Sequence, residues 1–272
     1  MEIRFTVGEM AKLNGITKQM LIFYDRENIF KPKIINPSNG YRYYTADQLE
    51  ELDSILMLRE MGFSLEKIKS HMKNRSGIQT IEILKEQKNE VEEKINHWKM
   101  IDKRLQHKIH SIEDFYRCQE TDEFIINCEK EYFTILPVEK PYGLLQIDIA
   151  LKKLITYATK HNYSHFYQIG DMVSCDSLKS KNYLKFEYAF LPLCTPCEED
   201  KLHIKPQGTY AHGYHIGSYQ SMGRTYEKLL QKIEQCGYKI TGYSYEYCVI
   251  DCLSTKLPEE YITEIQIQVE PI

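Results

Sequence analysis

Between Ile78 and Tyr116 the chain holds neither proline nor glycine. Steps of three and four residues from Ile81 land in turn on Leu84, Lys88, Val91, Ile95, Trp98, Asp102, Leu105, Ile109, Ile112 and Tyr116. An apolar stripe of this period predicts one long helix of coiled-coil type, which cannot bury its stripe alone. The simplest cover is the same helix of a second chain, with the seam running from Lys88 through Val91, Ile95, Trp98, Asp102 and Leu105 to Ile109. Its two polar members, Lys88 and Asp102, lie seven residues either side of Ile95. In an antiparallel pair crossing near Ile95 they meet as opposite charges, whereas in a parallel pair each faces its own kind. The expectation is therefore an antiparallel homodimer whose register that pair sets. The plainer alternative is a helix packed inside its own domain.

The stripe divides the chain into three expected domains, residues 1–75, 76–118 and 119–272, the last opening on a short polar linker. At 272 residues there is length for two compact cores beside the helix. No apolar run is long enough to span a bilayer, and the opening residues do not form a signal peptide. The eight cysteines therefore read as reduced thiols of a cytoplasmic protein.

Residues 1–75 carry 12 Lys and Arg against 10 Asp and Glu, so the placement of charge says more than its sum. Thr6 followed by Glu9 is a capping-box start to a short helix, and Asn14-Gly15 makes the turn after it. Thr17 caps a second helix from Lys18 to Glu27. Two short helices joined by a glycine turn predict a helix-turn-helix, with the second helix as reader of a major groove. Two short strands around Pro37-Ser38-Asn39-Gly40 follow, with Lys31, Lys33 and Arg42 on the arms as a basic wing for phosphates. Thr45 is expected to cap a third helix, Ala46 to Met61, ended by Gly62, and Ser64 a fourth, Leu65 to Lys73. In full, VGEMAKLNGIT, LIFYDRENIFKP and NGYRYYTADQLEELDSILMLREMGFSLEKIK, with the long helix after them, resemble the MerR family of transcription regulators. The resemblance implies a winged helix-turn-helix that binds promoter DNA through Thr17, Lys18, Tyr24, Arg26, Lys31, Lys33, Arg42 and Tyr43. Tyr24 and Tyr43 have an alternative as packed core rings. Where the family has Leu-Arg-Tyr-Tyr this chain has Leu21-Ile22-Phe23-Tyr24, so an arginine that touches DNA in the family is replaced by Ile22.

Beyond the linker, strand and helix patterns alternate twice, as expected of an α+β domain with an antiparallel sheet and a weak internal duplication. Sixteen of the 21 tyrosines lie in this part. On the strand Tyr243–Tyr247, period two puts Ser244, Glu246 and Cys248 on one face and Tyr243, Tyr245 and Tyr247 on the other. A buried glutamate there needs a partner, and a cation ringed by aromatics is one; the alternative is an exposed glutamate on a sheet face.

The segment Asn127–Ile272 also resembles the GyrI-like domain of the multidrug-sensing branch of the MerR family, which binds lipophilic cations. The resemblance implies Glu246 as the cation-binding glutamate, with Tyr245 before it. Tyr261 and Tyr167 fall on pocket tyrosines, and Asp148 and Met222 on two ring positions. An aspartate at 148 would add a second negative charge. The chain is thus read as a dimeric regulator, most simply an activator, that bends a palindromic promoter for RNA polymerase in answer to a lipophilic cation. No cofactor, metal or membrane partner is expected. The competing readings are a small-molecule hydrolase with Glu246 as general base, and a repressor without ligand whose pocket its own side chains fill. Cys194 and Cys197 have redox or zinc spacing, but no second cysteine pair and no helix opening at Cys194 accompany them.

Overall fold

The structure, a computed structural model, describes residues 3–118, 124–196 and 202–272; the expected linker and Cys197 lie outside the described residues. The chain forms two compact units, Met1–His97 and Trp98–Ile272.

The first unit begins β1 (Arg4–Thr6), α1 (Val7–Leu13), α2 (Lys18–Arg26), β2 (Ile34–Ile35) and β3 (Arg42–Thr45), followed by α3 (Gln48–Glu60) and α4 (Leu65–Lys73). The capping box forms as expected: Thr6 Oγ1 accepts from the Glu9 N–H, and the Glu9 carboxylate accepts from the Thr6 N–H at 2.8 Å. Thr17 and Ser64 cap α2 and α4 with the first of these bonds alone, their hydroxyl oxygens accepting from the Met20 and Lys67 N–H groups. Gly15 turns at φ +65°, a left-handed conformation that suits a residue without Cβ. Two expectations fail locally. Thr45 does not cap α3, which starts at Gln48 behind Asp47. The buried Gln48 side chain fixes that start, accepting from the N–H groups of Lys33 and Thr45 and donating to the Lys31 carbonyl at 2.7 Å. The wing also gains a third strand, in the order β1-β3-β2. Behind it Met10, Leu21, Tyr24, Phe30, Tyr44 and Ile55 form the core, with Phe30 and Tyr44 stacked 5.2 Å apart.

The heptad segment is one helix, α5 (Gly77–Cys118), 42 residues and so about 63 Å long. Within the first unit Ile83 packs on the core and Gln87 donates to the Met61 carbonyl at 2.9 Å. Within the second, Phe115 packs with Val249 and Ile262, and Lys108 donates to the Val249 carbonyl at 2.8 Å. These docking residues lie off the stripe. The stripe residues Ile81, Leu84, Val91, Ile95, Trp98, Leu105 and Ile109 are 37–66 % exposed, so a helix whose stripe is buried within its own domain is not what the chain builds. Lys88 pairs with Glu92 at 2.7 Å, and Asp102 accepts from Gln106 at 2.9 Å, both one turn away on the same helix.

The rest of the second unit runs β4 (Ile125–Cys128), β5 (Glu131–Pro137), α6 (Leu144–Lys160), β6 (Gly170–Val173), α7 (Cys175–Lys179), β7 (Phe186–Pro192), β8 (Leu202–Lys205), β9 (Gly208–Ile216), α8 (Met222–Gln235), β10 (Tyr238–Ile250) and β11 (Ile262–Pro271). The strands form one sheet, ordered β4-β9-β11-β10-β6-β7-β5-β8, with every named pairing antiparallel. The α+β class is as expected, and the duplication is visible in the topology. Strands β5, β6 and β7 with α6 form one β-α-β-β unit, ordered β5-β7-β6. Strands β9, β10 and β11 with α8 form another, ordered β9-β11-β10. The halves join where β6 pairs β10. Side chains from α6 and α8 fill the core on one side of the sheet, and rings from Phe133, Phe190, Tyr210, Tyr245 and Tyr247 fill a second cluster. No helix among the described residues is long and apolar enough to cross a membrane.

Candidate functional site

At the seam of the two halves Glu246 on β10 stands directly opposite Asp171 on β6. Glu246 is sealed from water, while Asp171 is half-buried with its Oδ1 sealed. Glu246 is 2 % exposed, so the alternative of an exposed glutamate on a sheet face does not hold. Tyr226, fully buried on α8, donates its hydroxyl to Glu246 Oε1 at 2.5 Å and lies 2.7 Å from Ser244 Oγ. Asp171 Oδ1 is buried and has no hydrogen-bond partner.

Burial drives the electrostatics. It pushes Glu246 up to about 7, with the Tyr226 bond pulling the other way. Burial also lifts Asp171 well above the usual carboxylate range, and the neighbouring Glu246 charge adds to it. Two like charges on facing positions in low dielectric do not both ionise, so near neutral pH the pair shares a proton. The Tyr226 hydroxyl bond favours charge on Glu246 within the pair. Such a pair can accept a cation in place of that proton.

The period-two reading of β10 holds. Ser244 and Glu246 meet Tyr226, while Tyr243, Tyr245 and Tyr247 join the ring cluster. Tyr245 therefore belongs to the opposite face from Glu246, its hydroxyl 3.0 Å from His203 Nε2. That opposite face holds a cation already. Lys205 is wholly buried, its ammonium 4.9, 5.5 and 5.2 Å from the ring centres of Tyr210, Tyr245 and Tyr247. It donates to Glu131 at 2.5 Å, to the Tyr247 hydroxyl at 2.9 Å and to Gln266.

The other expected ligand residues divide. Tyr261 lies tilted against Tyr219 with ring centres 5.9 Å apart, and the Tyr219 hydroxyl lies 2.9 Å from Cys248 Sγ, two residues along the strand from Glu246. Met222 is buried one turn before Tyr226 on α8. Tyr167 is half exposed, under the Arg104 guanidinium at 4.9 Å. Asp148 does not face the site: α6 turns Ile147, Ala150, Leu154 and Ala158 inward and leaves Asp148 exposed. The second acid comes from Asp171 instead. Sequence reasoning named neither Asp171 nor Tyr226 for the site. A tyrosine in the buried stripe of a helix needs a partner for its hydroxyl, and that signal pointed to it.

In the head, Lys18, Arg42 and Tyr43 line one surface cleft of 410 Å³ with Gly8 and Ile22, so the residue standing for the family's arginine sits among them. Arg42 is oriented by Asp25, its Nε donating at 2.7 Å. Thr17 acts as the α2 cap, and Arg26 and Lys31 are exposed. Lys33 is ion-paired with Asp47. Tyr24 is a correction: at 1 % exposure it is a core ring and offers no face to a duplex. Among the described residues no three His, Cys, Asp or Glu are grouped to hold a metal. Cys194 lies 3.6 Å from Met100 Sδ.

Comparison with known proteins matches the profile of the MerR HTH family regulatory protein to residues 5–75 and that described as MerR, DNA binding to 49–108. A GyrI-like small molecule binding domain matches residues 172–270. The chain is 29 % identical over 271 residues to the multidrug-efflux transporter 2 regulator of Bacillus subtilis, covering 98 % of this chain and 97 % of that protein. It is 24 % identical to the multidrug-efflux transporter 1 regulator of the same organism, over 98 % and 99 % of the two chains. Among solved structures, EcmrR in its DNA complex within EcmrR-RPo aligns over 98 % of this chain and all of that one, at 20 % identity and a TM-score of 0.46.

Proposed function

Because the chain belongs to the MerR family of transcription regulators and carries a GyrI-like small molecule binding domain, we propose that it is a homodimeric activator responsive to lipophilic cations. The buried Glu246–Asp171 pair carries this reading. A sealed glutamate facing a second carboxyl with a buried, unpartnered oxygen is costly unless something offsets the charge, and an aromatic cation does so through Coulomb attraction and its rings. Tyr226 closes over Glu246, as a repressor without ligand would also have it. Asp171 Oδ1, buried and without a partner, favours a guest. In the proposed cycle two heads grip the halves of a palindromic operator and distort it for RNA polymerase, and the cation favours the activating geometry. The test is run-off transcription from a promoter whose operator is selected from random duplexes by the purified chain. An inverted repeat, and a transcript that rises severalfold with ethidium, are expected; a transcript indifferent to the dye sinks the activator reading.

The exposed stripe of α5 supports an antiparallel dimer in which Lys88 of one chain leaves Glu92 for Asp102 of the other. Lys88→Asp is then expected to raise the dimer dissociation constant about tenfold by opposing like charges at two places. Lys88→Asp combined with Asp102→Lys is expected to restore it. Sedimentation equilibrium reads both, and a double variant as weak as the single one rules the arrangement out.

A further inference from the structure

Glu246 has to be reached from solvent, and one path is written in the packing. A cleft of 780 Å³ opens beside α7 and α8, walled by Leu178, Leu230, Ile233 and Ile240, with two glutamates and three lysines also in its lining. Its inner wall includes Tyr183, from the loop between α7 and β7. The Tyr183 ring lies flat on Tyr226, with centroids 4.9 Å apart and planes 6° from parallel. Tyr226 in turn holds Glu246. One ring therefore separates an open cleft from the tyrosine that holds Glu246. The Tyr183 hydroxyl is buried with no hydrogen-bond partner, so stacking and burial hold the ring without a polar anchor. Gly223 sits beneath it: a Cβ there would stand 3.3 Å from Tyr183 Cδ2, so the bare backbone lets the ring lie close.

On the reading that Glu246 binds an aromatic cation, we propose that the cation enters through this cleft and that its ring takes the place of Tyr183 against Tyr226. The stack is a plug with the same chemistry as the guest, a flat ring exchanged for a flat ring. Glu227 and Glu234 are matched by Lys179, Lys181 and Lys239 in the lining, so the apolar walls and the ring exchange, rather than the charge of the cleft, carry the guest inward. Planar aromatic monocations are the class that fits; quaternary alkylammonium ions of equal charge have no ring to offer Tyr226.

Stopped-flow fluorescence with ethidium tests the route. Tyr183→Ala removes the plug and is expected to raise kon at least tenfold and lower Kd, because the guest no longer displaces a ring. Tyr183→Phe, which keeps the ring, is expected to match the natural chain. Leu230→Trp narrows the cleft from a half-buried position and is expected to lower kon at least tenfold. An unchanged kon in both Tyr183→Ala and Leu230→Trp overturns the route, even where Glu246→Gln still destroys binding. Ethidium binding that ignores Glu246→Gln instead removes the site reading itself. Should Tyr183→Ala fail to fold, Leu230→Trp alone decides.

Discussion

Glu246→Gln is expected to weaken the binding of ethidium at least about 100-fold and, above neutral pH, to make the protein more stable. The two effects share one cause. In the folded chain burial holds the Glu246 carboxyl at about 7, against 4.5 when unfolded, and Asp171 is raised with it. The folded state thus keeps protons that the unfolded chain has already shed. Stability carried by this pair is intact below pH about 4.5 and is lost as pH climbs through about 7. Glutamine accepts the Tyr226 hydroxyl bond without the charge, so the variant escapes that loss. A gain on the order of 2 kcal/mol at pH 8, vanishing near pH 4.5, is expected in thermal melts at the two pH values. Binding runs the opposite way. A cation replaces the shared proton, so affinity of the natural chain falls about tenfold for each pH unit below 7, while Glu246→Gln binds weakly and without that slope. Calorimetry between pH 5.5 and 8 checks both, and an affinity flat in pH would show that the carboxylate is not where the charge goes.

Lys205→Met is expected to cost about 2–3 kcal/mol, a fall of roughly 5–10 °C in Tm, although the residue faces away from the Glu246 site. The natural ammonium is desolvated entirely, and what offsets that loss is Glu131, Gln266, the Tyr247 hydroxyl and three tyrosine rings. Methionine matches the length of the stem, so the change leaves packing close to intact and removes the charge. The cost stays at the lower end for a broken buried pair because Glu131 keeps 37 % of its side chain exposed and can rehydrate. Combining Lys205→Met with Glu131→Gln is expected to recover a large share of the loss. A double variant no more stable than Lys205→Met would assign the stability to the rings and Gln266 rather than to the ion pair.

Much of the architecture was legible because it rests on short-range rules. The α5 stripe is a period, and the Thr6, Thr17 and Ser64 caps are local hydrogen bonds between residues three apart, so each can be read without knowing the fold. The start of α3 was misread because its determinant, Gln48, makes long-range bonds to Lys31 and Lys33 that no local pattern announces. Glu246 was legible through its setting, since a carboxylate between tyrosines on a strand needs an explanation. Asp148 misled because α6 centres its buried stripe on Ile147, Ala150, Leu154 and Ala158, which turns 148 outward. Asp171 and Lys205 stayed hidden for one physical reason. Charged residues are so rarely sealed that sequence reasoning sends them to the surface, and only pairing across distant strands, β6 with β10 and β5 with β8, reverses that expectation.

The acid pair sits where the two β-α-β-β halves share their one line of strand hydrogen bonds, and each half supplies one member. A guest lodged there belongs to neither half. On the proposed reading a cation bound there would press on both halves at once, at the strand pairing that joins them.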